Sequence, residues 1–165
     1  MSGSPPAAAD DLPAAARRVA AAAAAAGLAI EVRVMPQSTR TAQEAAAACG
    51  CAVAQIVKSL IFRGAASGRP YLLLVSGANR VDEAKAAARL GEALTRPDAA
   101  YVRETTGYAI GGVPPLGHAA PMTSFIDETL LRYDIVWAAA GTPLAVFSAD
   151  PRALQHAVGA TIIAV

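Results

Sequence analysis

Gln55-Ile-Val-Lys58-Ser-Leu-Ile-Phe-Arg63 and, after a short connection, Pro70-Tyr-Leu-Leu-Leu-Val-Ser76 decide the fold. Both are short apolar runs rich in residues that favour strands. Gly64-Ala-Ala-Ser-Gly68-Arg69 between them reads as a hairpin connection. Alternate residues of a strand share a face. Ile56, Lys58, Leu60 and Phe62 therefore point one way, and Val57, Ser59 and Ile61 the other. Both sets are largely apolar, which predicts a central strand covered on both faces.

Towards the N-terminus, residues 1–9 are expected to be a disordered lead-in. Asp10 to Ala26 is nearly all Ala, the best helix former, and Gly27 supplies a stop. Glu31 to Met35 alternates as a strand does. Thr41 and Glu44 make a Thr-x-x-Glu capping box for a helix ending near Gly50.

Towards the C-terminus, Asp82 to Leu90 is a helix closed by Gly91, and Ala93 to Thr95 a short strand. Pro97 suits the first turn of a helix running to about Thr106. Gly107 to His118 is a Gly- and Pro-rich loop. Strands are expected at Met122–Ile126, Asp134–Ala139 and Leu144–Ser148, with Asp127 capping a short helical turn. Asp150-Pro151 opens a last helix, and Thr161 to Val165 is a closing strand. Hairpins mixed with helices, without a repeat or internal linker, predict one compact mixed α/β (α+β) domain over residues 10–165.

The composition excludes several classes of function. The chain has 165 residues, 55% of them hydrophobic and 16% charged, which suits one well-buried domain rather than a disordered chain. Fourteen basic and 13 acidic residues give a formal net charge of +1, so no bulk attraction to duplex DNA is expected. A local contact with RNA stays open. The longest apolar run, Val19 to Ala26, is far shorter than the ~20 residues that cross a bilayer. The opening Met1-Ser2-Gly3-Ser4-Pro5-Pro6 lacks the positive start of a signal peptide. Cys49 and Cys51 stand too close for a disulfide and form half a metal site at best. A cytoplasmic setting is expected.

Lys58 is the most informative candidate. Only two lysines occur, and this one falls on an apolar strand. Its charge there is costly unless it meets an anion, a carbonyl or a cavity, or reaches water from a sheet edge. The second candidate is Gly111-Gly-Val-Pro-Pro-Leu-Gly117-His118. Glycines allow close backbone approach and prolines stiffen the loop. Free N–H groups of such a loop could hold a developing oxyanion, and a purely structural turn is the other reading. His118 could serve as a general base or orienting donor, or simply bond nearby backbone. No P-loop, dinucleotide fingerprint, zinc spacing or nucleophile elbow is present. Arg33, Arg40, Arg80 and Arg103 are spread along the chain and could touch phosphates, although solvated faces are the default.

In combination these motifs become specific. The Gln55–Phe62 stretch, Leu74-Val-Ser-Gly77 with Arg80-Val-Asp82, and Thr106-Gly-Tyr-Ala-Ile-Gly111-Gly-Val-Pro-Pro-Leu-Gly117-His118 recur here in order. With Ser38–Ala46 and Val136-Trp-Ala-Ala-Ala-Gly141, the chain resembles the YbaK/prolyl-tRNA-synthetase-associated editing domains from about residue 28 onward. The resemblance implies a twisted, partly barrel-like mixed sheet with surrounding helices, and a freestanding enzyme acting in trans. Such enzymes hydrolyse the ester that joins a wrong small amino acid (Ala, Cys, Ser or Thr) to the 3′ end of a tRNA. It implies no metal and no organic cofactor.

The family's lysine matches Lys58, and its Gly-rich loop matches Gly111–Gly117. On this reading Lys58, Gly111, Gly112 and His118 are the expected catalytic residues. Thr41, Val113, Pro114, Pro115, Gly117 and Gly141 are expected to bind substrate. Expected partners are aminoacyl-tRNA and, in addition, an aminoacyl-tRNA synthetase, with no DNA and no membrane. Two other readings stay open: a non-catalytic module that binds aminoacyl-tRNA or a nucleotide beside a synthetase, and a different ester hydrolase on the same scaffold.

Overall fold

The computed structural model describes residues 11–165, so the expected lead-in lies outside them. In chain order the elements are α1 (Ala14–Ala25), β1 (Arg33–Val34), α2 (Ala42–Cys49), β2 (Ile56–Gly64), β3 (Pro70–Ser76), α3 (Glu83–Leu90), β4 (Leu94–Thr95) and α4 (Ala99–Thr106). Then follow β5 (Thr123–Asp127), a 3-10 turn (Glu128–Arg132), β6 (Val136–Ala139), β7 (Ala145–Ala149), α5 (Pro151–Val158) and β8 (Thr161–Ile163). All eight strands form one mixed sheet in the order β1-β7-β6-β2-β3-β5-β8, with β4 paired to β2 off that path. The expected hairpin is the centre of the sheet: β2 and β3 are antiparallel, from Val57 opposite Ser76 to Arg63 opposite Pro70.

The two faces of β2 bury as the alternation predicts. Val57 and Ile61 pack with Leu72 and Leu74 and with Ala16, Val19 and Ala23 of α1. Those three α1 residues recur at helical spacing and form its buried stripe. On the other face Ile56 packs with Trp137, Val146 and α2, while Phe62 packs with Tyr71, Leu73, Val75 and Ala86 of α3. Leu60 packs against the second of these clusters, and Lys58 lies between the two along the strand. Helices thus cover both faces of the sheet, and each fully buried Leu contributes about 1.5–3 kcal/mol.

Several boundaries differ from the sequence reading. The first strand is Arg33–Val34 rather than Glu31–Met35, because it pairs with β7 alone at the edge of the sheet. Met35 and Thr39 still donate main-chain bonds to Leu144 and Pro143, at 2.7 Å each. Helix α4 begins after Pro97, not at it. The Asp98 side chain accepts from the Tyr101 amide at 2.8 Å and takes the cap. Helix α1 begins at Ala14 behind Pro13, and the closing strand ends at Ile163. At α2 the Thr41 hydroxyl accepts from the Glu44 amide at 3.1 Å, the first half of the expected box. The Glu44 carboxylate instead accepts from the Thr41 hydroxyl at 3.2 Å.

Candidate functional site

The site lies where the sheet opens. Beside β2, β6 pairs only with Ile56 and Val57, and β4 only with Arg63 and Gly64. Between them the strand edge borders a cavity of about 580 Å³. Residues Ile56–Phe62 form one wall, while Thr39–Ala42, Ile110, Gly111, Val113, Trp137 and Ala138 contribute the others. The lining is mainly apolar, and its charged residues are Arg40, Lys58 and Arg96. This is the size and character of a small-molecule or acyl-group site.

Lys58 is half-buried, and its ammonium donates to the main-chain carbonyl of Asn79. Burial pushes its pKa below the ordinary lysine value, Arg80 pushes in the same direction, and Asp127 opposes both. Asp127 is buried and held: Oδ2 accepts from the Ser76 amide at 3.1 Å and from Asn79 Nδ2 at 2.8 Å. Its Oδ1 accepts from the Thr129 amide at 2.9 Å. Lys58 thus lines the cavity with its ammonium held by the Asn79 carbonyl and its charge favoured by the fixed carboxylate of Asp127. That arrangement suits an anionic or strongly polar ligand group.

The Gly–Pro loop meets the cavity at one end only. Gly111 and Val113 line it, as do Lys58 and Thr41 among the expected site residues. The others lie outside the lining. The Gly112 amide donates to the Ala109 carbonyl at 3.1 Å, so it is not free to hold an oxyanion. The Gly112 carbonyl accepts from the Gly141 amide at 2.9 Å, which ties the loop to the β6–β7 turn. Pro114 and Pro115 are buried in the loop's support, and the Gly117 carbonyl accepts from the Tyr108 hydroxyl at 3.2 Å.

His118 belongs to that support as well. Its Nε2–H donates to the Pro114 carbonyl at 2.7 Å, and burial lowers its pKa, with that bond opposing. The expected role as a base in contact with substrate does not fit this placement. The sequence reading of a histidine bonded to nearby backbone does.

Arg40 and Arg96 were not among the expected site residues. Gly111 has φ +98°, and a Cβ there would stand 2.8 Å from Arg40 Cγ and Nε, so the arginine lies along the loop. The Ser38–Ala46 stretch carried this signal, since the loop and that segment enter the family resemblance together. Arg96 pairs with Glu83 at 3.3 Å. Cys49 is buried and its thiol is pushed up to about 12, mainly by burial, which makes it inert. Among the described residues no group of three or more His, Cys, Asp or Glu could hold a metal ion, and no helix is long and apolar enough to cross a membrane.

Known proteins share this fold. Residues 36–157 match the model of the aminoacyl-tRNA editing domain. A candidate trans-editing enzyme for prolyl tRNA synthetase superposes with a TM-score of 0.88 at 49% identity, over 93% of this chain and 98% of its own. Hypothetical protein APE2540 superposes with a TM-score of 0.83 at 32% identity, over 90% of this chain and 98% of its own. The uncharacterized protein YwhH of Bacillus subtilis (strain 168) is 30% identical over 76% of this chain and 80% of its own. The matched segment runs from the loop before α2 into α5 and includes Lys58, Arg40 and the whole Gly–Pro loop, so the chain belongs to the aminoacyl-tRNA editing domain family.

Proposed function

We propose that the protein deacylates tRNA mischarged with a small amino acid of the Ala, Cys, Ser or Thr class, acting in trans on the 3′ acceptor end. The observation that carries this is the cavity at the gap beside β2, which joins Lys58, the start of the Gly–Pro loop and Arg40 around an apolar interior. An ester already has a usable leaving group. Catalysis then needs binding in a confined site, electrostatic stabilisation of the carbonyl oxygen and a positioned water or ribose hydroxyl.

Lys58 contributes its charge rather than a nucleophile, at the terminal phosphate, the ribose or the ester oxygen. Gly111 and Val113 shape the site, with His118, Gly112 and Gly141 holding their loop. Steric exclusion of larger side chains is the selection this reading calls for. No cofactor enters this chemistry. The near-neutral net charge gives modest affinity for tRNA, so a synthetase that hands over the acceptor end is the natural partner. The name of the 49%-identical relative makes prolyl-tRNA synthetase the first to try. This work belongs in the cytoplasm, where tRNA is charged.

The test is hydrolysis of tRNAs charged with Ala, Ser, Thr, Cys and Pro by the wild type and Lys58→Ala. Rapid loss of one small amino acid, abolished by the substitution, is expected. Hydrolysis at the enzyme-free rate for the whole panel would sink the proposal in favour of a binding module. Turnover of free small-molecule esters alone would favour a different hydrolase.

A further inference from the structure

Strand β2 keeps two residues of main chain without a partner. The Ile56 carbonyl accepts from the Gly77 amide at 2.7 Å, and the Gly64 amide donates to the Arg69 carbonyl at 2.8 Å, both towards β3. The N–H and C=O of a strand residue point to one edge, and that edge alternates along the chain. The odd-numbered residues therefore face away from β3. There Val57 meets Ala138 of β6, and the Arg63 carbonyl accepts from the Thr95 hydroxyl at 3.1 Å. Ser59 and Ile61, between them, meet no strand on that side, and no bond among the described residues reaches their N–H or C=O groups.

Both residues line the cavity. The Ser59 hydroxyl beside this edge is itself buried, and it is the one such side-chain atom without a partner among the described residues. Polar groups left this way are destabilising unless water or a ligand pairs with them.

We propose that this edge is the aminoacyl subsite: the amino acid binds as a one-residue strand, its α-ammonium donating to the Ser59 carbonyl and its ester carbonyl accepting from the Ile61 N–H. The inference rests on the deacylase reading above. A strand edge presents the carbonyl of residue i and the N–H of residue i+2 to a single residue of a parallel neighbour. An aminoacyl ester carries the matching donor and acceptor on one Cα. Strand β6 runs parallel to β2 and its pairing stops beside Val57, so the bound amino acid continues its line. Strand addition of this kind takes affinity from main chain and leaves specificity to the side-chain space.

The Ile61 N–H polarises the carbonyl that water attacks. The Ser59 hydroxyl is a second acceptor for the ammonium. Lys58 projects from the opposite face of the strand, which keeps the two cations apart. Selection therefore reads a free α-amine first and the side chain second.

The test compares the aminoacyl-tRNA hydrolysed fastest with its α-hydroxyacyl counterpart, which keeps the ester and the side chain and replaces the ammonium by hydroxyl. Rates are divided by the enzyme-free rates. Loss of the charge-assisted bond is expected to lower the enhancement roughly 10–100-fold. Ser59→Ala is expected to raise KM severalfold with kcat nearly unchanged, and to leave Tm equal or higher, since the hydroxyl has no protein partner to lose. Equal enhancement for both esters would overturn the subsite and leave the deacylase standing. Hydrolysis of neither would overturn both. An unchanged KM with a lowered Tm in Ser59→Ala would remove the hydroxyl from the subsite and assign it a structural role.

Discussion

Asn79 links the cation of the site to its buried counter-charge: its main-chain carbonyl accepts from Lys58, and its side-chain amide donates to Asp127 at 2.8 Å. Asp127 is the group that opposes the lowering of the Lys58 pKa by burial and by Arg80. Asp127→Asn removes that opposition and sends the Lys58 pKa lower still. The basic limb of the pH–rate profile should therefore move to lower pH. The amide also cannot accept at both ends as the carboxylate does, so stability should fall by about 1–3 kcal/mol for each donor left unpaired. A basic limb that stays in place would disconnect Asp127 from Lys58.

Glu92 holds the hairpin on which β2 and β3 turn. Its carboxylate accepts from the Ala66 and Ser67 amides at 3.0 and 2.9 Å, and from the Ser67 and Tyr71 hydroxyls at 2.7 and 2.6 Å. These bonds, the Tyr71 bond foremost, lower its pKa to about 2. A carboxyl depressed on folding stabilises the fold fully above its unfolded value of about 4.3. That contribution is lost as pH falls from there through about 2. Amide exchange at Ala66 and Ser67 should accelerate across this window in the wild type. In Glu92→Gln it should already be fast at neutral pH.

Much of this architecture is legible in the sequence because local rules and tertiary packing agree. The β2–β3 hairpin shows in its apolar alternation, and the Thr41, Asp127 and Asp150 caps show in residue type and position. Strand β1 does not, since its extent depends on a single neighbour over 100 residues away. The cavity is less legible still. Lys58 stands out because a charge on an apolar strand is conspicuous. Ser59 and Ile61 look like ordinary core positions, and only the absence of a strand beside them makes them polar. Arg40 is likewise one exposed arginine among many until the fold sets it against Gly111.

His118 tests the difference between contact and support. It lies outside the cavity and secures the loop through the Pro114 carbonyl. His118→Ala should lower Tm while keeping kcat/KM within about tenfold of wild type, a change worth at most about 1.4 kcal/mol in the barrier. The pH dependence follows from its lowered pKa. The folded state disfavours the protonated ring, so the unfolded chain binds more protons as pH drops below about 6.5. Stability should decline on that side, less steeply in the Ala variant. A collapse of kcat with unchanged Tm would return His118 to the chemistry.

Gly112 makes the opposite case, a residue outside the cavity lining whose loss should reach it. A Cβ at Gly112 would lie 2.7 Å from Thr142 Cα and 2.8 Å from Thr142 N and C. Backbone cannot swing aside as a side-chain end can, so loop and turn must separate. Separation breaks the bond from the Gly141 amide to the Gly112 carbonyl and moves Gly111 and Val113 in the cavity wall. Forced overpacking of this kind costs about 1–3 kcal/mol. Gly112→Ala should therefore lower both Tm and kcat, the latter because a displaced wall no longer orients the ester. Gly159→Ala is the control. It has φ +72° and open space around its Cβ position, so it carries backbone strain without a clash and lies at the end of α5, away from the cavity. Equal kinetic losses in the two variants would mean that general destabilisation, and not the position of the loop, governs activity.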